Sequence, residues 1–279
     1  MHLTFDARLR IPFPEPTRID QQSLYVFNLY RAGSSVVEAA AEALAIGLQR
    51  TANNVTRALY DAGTEMFDVH AYGKPSLFLA DEGASLLRLC DIGGYLNYGF
   101  REVPNGFAAD FAHIGASVLI VRDPRDIGIS HYAAVAKHDD TNGVYGDHIR
   151  NARALAASTE LGGYLLSDEL LTFLRRIALC YRPLIEKGTV VVHYEDLFVD
   201  GRFDIAALCD TLYMQFETYN DTSFTLDAFV ANTRDRIANS KVLRGHATEG
   251  RIGLHLDLDD DLHGAYSAAL QDALDLLGY

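Results

Sequence analysis

The 279-residue chain has no tryptophan, only three cysteines, and far fewer basic than acidic side chains, 24 Lys and Arg against 38 Asp and Glu. The formal net charge of −14 excludes general affinity for nucleic acid or for an anionic membrane surface, because both need a dominant basic field. Any anionic ligand must be met by a local cluster of arginines. Cys90, Cys180 and Cys209 are odd in number, far apart and form no CxxC pair. That pattern points away from a disulfide framework and from a structural zinc site, and it fits a reducing cytoplasm. No stretch approaches the ~18 uninterrupted apolar residues that span a bilayer, and "MHLTFDARLRIPFPEP" lacks the basic-then-apolar pattern of a signal peptide. The expectation is a soluble cytoplasmic protein with no membrane span, and with no linker, repeat or low-complexity segment.

What is present is an ordinary globular composition, 49% apolar and 22% charged, which supports a single α/β domain over residues 1–279. Residues 1–22 carry Pro12, Pro14 and Pro16 in alternation and read as an extended N-terminal arm. "SLYVFNLY" at 23–30 reads as a buried strand, and the alanine-rich "SSVVEAAAEALAIGLQR" after it as a helix. "SLFLA" at 76–80, "SVLIV" at 117–121 and "TVVVHY" at 189–194 repeat the strand pattern. Continuous apolar strands alternating with helical stretches such as "SDELLTFLRRIALCYRPLIEKG" predict a central parallel sheet flanked by helices. In the C-terminal stretch Leu262, Tyr266, Leu270, Leu274 and Leu277 fall at helical spacing. The acidic run Asp257, Asp259, Asp260 and Asp261 lacks the glycine turn and distal glutamate of a calcium loop and reads as a helix start.

Two stretches carry chemistry. In "YRAGSSVVE", residues 30–38, Gly33 permits close backbone approach, and the amides that open the next helix form an anion site or an ordinary cap. The spacing of a Walker A loop, GxxxxGK[ST], is absent. In "VLIVRDPRDIGISHYAA", residues 118–134, an apolar strand runs directly into Arg122, at the strand end where α/β sheets bind ligands. Arg122 and Ser130, eight positions on, suit one phosphate; alternatively Arg122, Asp123, Arg125 and Asp126 pair among themselves and tie down the loop.

Together these stretches resemble the sulfotransferases that use 3′-phosphoadenosine 5′-phosphosulfate, PAPS. In that family a strand-loop-helix close to "PKSGTTW" binds the 5′-phosphosulfate, and an arginine and a serine in a "VRDPRD…S" setting bind the 3′-phosphate. The resemblance places Arg31 where the usual lysine stands, with Ala32, Gly33, Ser34 and Ser35 in the remaining 5′-phosphosulfate positions. "VRDPRDIGIS" matches the second motif with Arg122 and Ser130 in register. "VVVHYEDL" at 190–197 is similar to the late strand and turn, and "GRIG" at 250–253 to the late basic-glycine loop. That loop would bring Arg251, Gly253 and Arg244 to the 3′-phosphate, although "LRGHATEGRIG" departs from the common "RKG…GDW", and Arg244 equally reads as a solvated surface arginine. The implied fold is the P-loop-like sulfotransferase fold. The implied cofactor is PAPS, released as adenosine 3′,5′-bisphosphate, and no metal is implied.

Sulfuryl transfer also needs a base for the acceptor. The histidine common in cytosolic relatives is missing from "YGFREVP" at 98–104, which resembles the "GFKE" strand of carbohydrate-modifying bacterial members. Glu102 is the first candidate base on placement and Glu38, one turn into the first helix, the second, although Glu38 also reads as a surface carboxylate. His70, His113 and His131 rank below both. The expected acceptor is a hydroxyl of a bacterial saccharide or glycolipid, with a small alcohol or phenol open; the 15 Tyr and 14 Phe offer stacking faces, though most belong in a core. Two other readings remain: a P-loop nucleotide kinase or NTPase, which needs a Walker lysine and a metal-binding carboxylate, and a non-catalytic nucleotide-binding member of the fold. The sequence is silent on oligomeric state.

Overall fold

The chain enters through an antiparallel hairpin of β1 (His2–Phe5) and β2 (Leu9–Pro12), so the N-terminal arm is extended but paired with itself. Ile11 and Phe13 then anchor it in the core. The computed structural model describes residues 2–5, 9–62, 92–100, 102–103, 114–137, 147–239 and 251–279.

Next comes β3 (Ser23–Asn28), buried at every position, as a strand covered on both faces must be. It is the middle of a five-stranded sheet with β4 (Thr51–Asn54), β5 (Tyr95–Phe100), β6 (Ile114–Val121) and β7 (Val190–His193), in the spatial order β4-β5-β3-β6-β7. All four pairings are parallel. The class is α/β with a central parallel sheet flanked by helices. The chain leaves β3 toward β4 on one side and leaves β6 toward β7 on the other. The order therefore reverses between β3 and β6, and α/β sheets bind ligands beyond the strand ends at such a reversal.

Helix α1 (Ser34–Gly47) follows β3, α2 (Val55–Asp61) follows β4, and α3 (Pro124–Lys137) follows β6. Then come α4 (Asp147–Ser158), α5 (Leu161–Leu165), α6 (Asp168–Leu179) and α7 (Arg182–Glu186). After β7 come α8 (Ile205–Phe216), α9 (Leu226–Asn239), α10 (Asp260–Ala269) and α11 (Gln271–Leu277). Helices α1, α8 and α9 pack on one another, and α6 packs on α3 and α11. Tyr25 and Phe27 share one face of β3, as alternate strand residues do, and Phe27 meets Phe100 and Tyr181 at ring distances of 5.0 and 6.0 Å.

Local signals fix the boundaries. Ser167 caps α6 by accepting from the Leu170 N–H, and the chain leaves α7 through Gly188 at φ +93°. The single helix expected between them breaks at Cys180 and Tyr181, just ahead of Pro183, which lacks the N–H a continuing helix requires. Asp259 accepts from the Leu262 N–H, so the acidic run does begin a helix. Strand β4 escapes the sequence pattern because "TANN" is polar; Asn53 Nδ2 donates to Asn97 Oδ1 across the β4–β5 pair at 2.8 Å, so one polar group of each buried amide is paired inside the sheet. The strand expected at 76–80 lies outside the described residues. Among the described residues no helix is long and apolar enough to cross a membrane.

A glycine pair tests the packing of α3 on α10. A Cβ at Gly128 would collide with the Tyr266 phenol, whereas one at Gly264 meets nothing within 4 Å. Gly128→Ala is expected to lose about 1–3 kcal/mol in urea unfolding by overpacking. Gly264→Ala is expected to be neutral or to gain up to about 1 kcal/mol through helix propensity.

Candidate anion site and adjoining cavity

The turn after β3 is held from beneath. Asn28, fully buried, donates through Nδ2 to the Ser34 hydroxyl at 2.8 Å and to the Leu29 carbonyl at 3.1 Å. Arg31 and Gly33 both adopt left-handed backbone, at φ +63° and +67°. Gly33 is required on a second count, since a Cβ there would come within 2.8 Å of the Tyr194 ring. The N–H groups of Ala32, Val36 and Val37 find carbonyls within the turn. Those of Gly33, Ser34 and Ser35 have no acceptor among the described residues, and they stand at the N-terminus of the 14-residue α1. Uncommitted amides reinforced by the helix dipole favour an anion.

Arg122 ties this turn to two other stretches. At the end of β6, 5% exposed, it donates through Nη1 to the Arg31 carbonyl at 3.0 Å and through Nη2 to the Arg251 carbonyl at 2.6 Å. Its guanidinium lies over the Tyr194 ring, 5.3 Å from the centroid. Asp126, fully buried one helical turn on, accepts from the Gly253 N–H at 2.7 Å, the His255 N–H at 3.1 Å and His255 Nδ1 at 2.8 Å, and lies 3.8 Å from Arg122. Asp123 pairs with Arg125 at 2.6 Å. Glu195 accepts from the Asp123 N–H and from the Tyr279 phenol, whose pKa is pushed up by burial and by the Glu195 charge. Residues 30–35, 122–130 and 251–255, distant in sequence, thus meet at the reversal point of the sheet.

Within this cluster Arg31 donates through Nη2 to the Ser130 carbonyl at 3.3 Å, while its buried Nε, like that of Arg122, has no acceptor among the described residues. Ala32 is buried, Ser34 nearly so, and Ser35 and Ser130 are half-buried. Arg251 is exposed, and the Gly253 N–H is already taken by Asp126. Arg244, His70 and His113 lie outside the described residues. His131 is packed among Tyr30, Tyr164 and Phe173 and shares a 2.7 Å hydrogen bond with the Tyr164 hydroxyl, an arrangement that builds the core.

The two carboxylate candidates differ in surroundings. Glu102 is 2% exposed and is held by Arg176 at 2.8 Å, so an acceptor would have to displace an ion pair to reach it. Glu38 lines an open cavity of about 700 Å³ that also takes in Ser35, and Asn54 donates to it at 2.9 Å. Glu38 therefore stands open to a cavity, whereas Glu102 is enclosed with its ion pair. Residues at helical spacing on α1 (Ser35, Glu38, Glu42) and on α9 (Asn232, Asp235, Arg236, Asn239) face each other across this cavity, and Asn54 and Tyr98 from β4 and β5 complete it.

Sequence reading passed over Asn28, Tyr194 and the α9 stripe. For the stripe a signal existed: polar residues at 232, 235, 236 and 239 leave Phe229, Thr233 and Ile237 to the core, so one face of α9 is polar by design of its period. Comparison with protein-family models finds no match, and comparison with curated proteins finds none.

The Asp126 anchor generates a stability prediction. Asp126→Ala strands Arg122 and two N–H donors, and is expected to cost about 3–5 kcal/mol in chemical denaturation. Asp126→Asn, which keeps one acceptor oxygen, is expected to cost less.

Proposed function

We propose that the protein is a PAPS-dependent sulfotransferase acting on an acceptor hydroxyl, of a saccharide or glycolipid in the first instance. One observation carries the reading: the uncommitted amides of Gly33, Ser34 and Ser35 lie in one cluster with Arg31 and Arg122, next to a cavity that contains a carboxylate. The donor set fits a phosphosulfate, since among the described residues three N–H groups and the Nε atoms of Arg31 and Arg122 lack acceptors, in a chain otherwise rich in negative charge.

When bound, PAPS supplies an activated sulfuryl group on a phosphate leaving group. The turn amides and the hydroxyls of Ser34 and Ser35 hold the 5′-phosphate. Asn28 fixes the Ser34 hydroxyl as its acceptor and so leaves the Ser34 proton to point at the anion. Arg31 would place its positive charge where negative charge grows as a sulfuryl group leaves phosphate; such fixed donors do most of the work in transfers of this kind. Glu38 would accept the proton of an acceptor hydroxyl, the electron pair of the broken sulfur–oxygen bond staying on the phosphate oxygen. Arg122, Ser130 and Arg251 are assigned to the 3′-phosphate, with Arg122 already bonded to the Arg251 carbonyl.

Adenosine 3′,5′-bisphosphate should raise the melting temperature more than ATP or adenosine 5′-monophosphate does at equal concentration, because only a 3′-phosphate site separates the three. Equal shifts, or none, overturn the proposal. With PAPS and an accepted substrate, Glu38→Gln is expected to lower kcat about 10²–10⁴-fold with little change in bisphosphate affinity. Glu102→Gln is expected to retain turnover in the fraction that folds. The opposite order returns the base to Glu102.

A further inference from the structure

The cavity beside the turn is built for one charge type. Among the described residues its carboxylates are Glu38, Glu42 and Asp235 and its one cation is Arg236, paired with Glu42 at 2.8 Å. Asp235 has no ion pair among the described residues. The side-chain amides of Asn54, Asn232 and Asn239 line it as well, and Asn54 is engaged with Glu38. Among the described residues the lining carries more carboxylates than guanidinium groups, which disfavours an anionic acceptor.

The second observation is Tyr98. Its side chain is 6% exposed, lines this cavity, and makes no hydrogen bond among the described residues. Burial first, then the charges of Glu42 and Glu38, push its pKa up, so it is a neutral phenol offering one donor and one acceptor to whatever fills the space. A nearly buried hydroxyl left open toward a cavity is a group waiting for a polar ligand. The volume of about 700 Å³ lies in the range of small-molecule sites.

We propose that this cavity, between α1 and α9, is the acceptor site, and that it selects a polyhydroxylated amine, an amino sugar or aminocyclitol whose ammonium group is held by Asp235 and Glu42 while a hydroxyl meets Glu38. Hydroxyls and an ammonium are the donors that three carboxylates, three amide oxygens and a phenol oxygen ask for, and an N-acyl sugar or a uronate supplies less. The sulfuryl-transfer role of Glu38 rests on the function proposed above; the cavity's preference for a cation does not.

Binding can be read without turnover. The intact protein is titrated with glucosamine, N-acetylglucosamine, glucose and glucuronate at mildly acidic pH, with ligand-observed NMR giving each Kd, with and without adenosine 3′,5′-bisphosphate. Glucosamine is expected to bind about tenfold or more tighter than N-acetylglucosamine, as charge-assisted bonds are added, and glucuronate not at all. Asp235→Asn is expected to weaken glucosamine about two- to fivefold and to leave glucose unchanged, the size of a solvent-exposed ion pair. Tyr98→Phe is expected to weaken both sugars about two- to tenfold. Equal binding of the four sugars, a preference for glucuronate, or an Asp235→Asn variant that binds glucosamine as the parent does overturns the assignment. Should glucosamine be preferred while the bisphosphate has no effect on melting, the cavity stands as a site for a polyhydroxylated amine and the sulfotransferase reading falls; the converse result rejects the cavity alone.

Discussion

The site depends on one buried carboxylate. Asp126 is fully enclosed and takes three hydrogen bonds from the 253–255 segment, two of them from backbone N–H groups. An ionised group so far from water is tolerable only where donors surround it, and that condition fixes where the late segment must lie. With the segment in place, the Arg251 carbonyl sits within reach of Arg122, which also grips the Arg31 carbonyl. Remove Asp126 and the two ends of the clasp lose their common support. The sheet supplies the place, the reversal between β3 and β6; the buried charges supply the closure.

This closure separates two electrostatic regions in a strongly acidic chain. On one side of α1 lie arginines and uncommitted amides, and along the α1 surface toward α9 lie carboxylates. Ser35 belongs to both, since it opens the helix and lines the cavity. A boundary between donor-rich and acceptor-rich walls suits the meeting of an anion with a proton-donating partner.

Much of the scaffold was legible because buried parallel strands and capped helices leave strong local patterns. "SLYVFN", "SVLIV" and "VVVH" are apolar on both faces, and Ser167 and Asp259 cap helices where their positions suggest. The turn and Arg122 were legible as a pair because each follows a strand directly. Strand β4 was not, since its Asn53 bonds Asn97, a partner 44 positions away that no local window contains. The surroundings of Glu38 and Glu102 were hidden for a similar reason: the ion pair with Arg176 and the cavity shared with α9 involve distant segments. Asp126 was visible, and the ion pair its neighbourhood suggested is present, to Arg122 at 3.8 Å, but its hydrogen bonds go to residues more than 120 positions later.

Arg31 shows why an arginine suits this turn. A non-glycine residue in left-handed backbone costs about 1–2 kcal/mol, and at φ +63° Arg31 bears that cost. Its carbonyl and its side chain both help offset it, the first by accepting from Arg122, the second by bonding the Ser130 carbonyl while its guanidinium lies 5.7 Å from the Tyr30 ring centroid. A lysine would offer a single mobile charge with no planar face to lay on Tyr30 and no second nitrogen to leave free. The arginine fork spends Nη2 on the scaffold and keeps Nε uncommitted, so its charge is held at the strand end before any ligand arrives. The strained backbone and the fixed guanidinium are therefore parts of one arrangement, in which the turn keeps its anion-facing amides because the arginine cannot swing away.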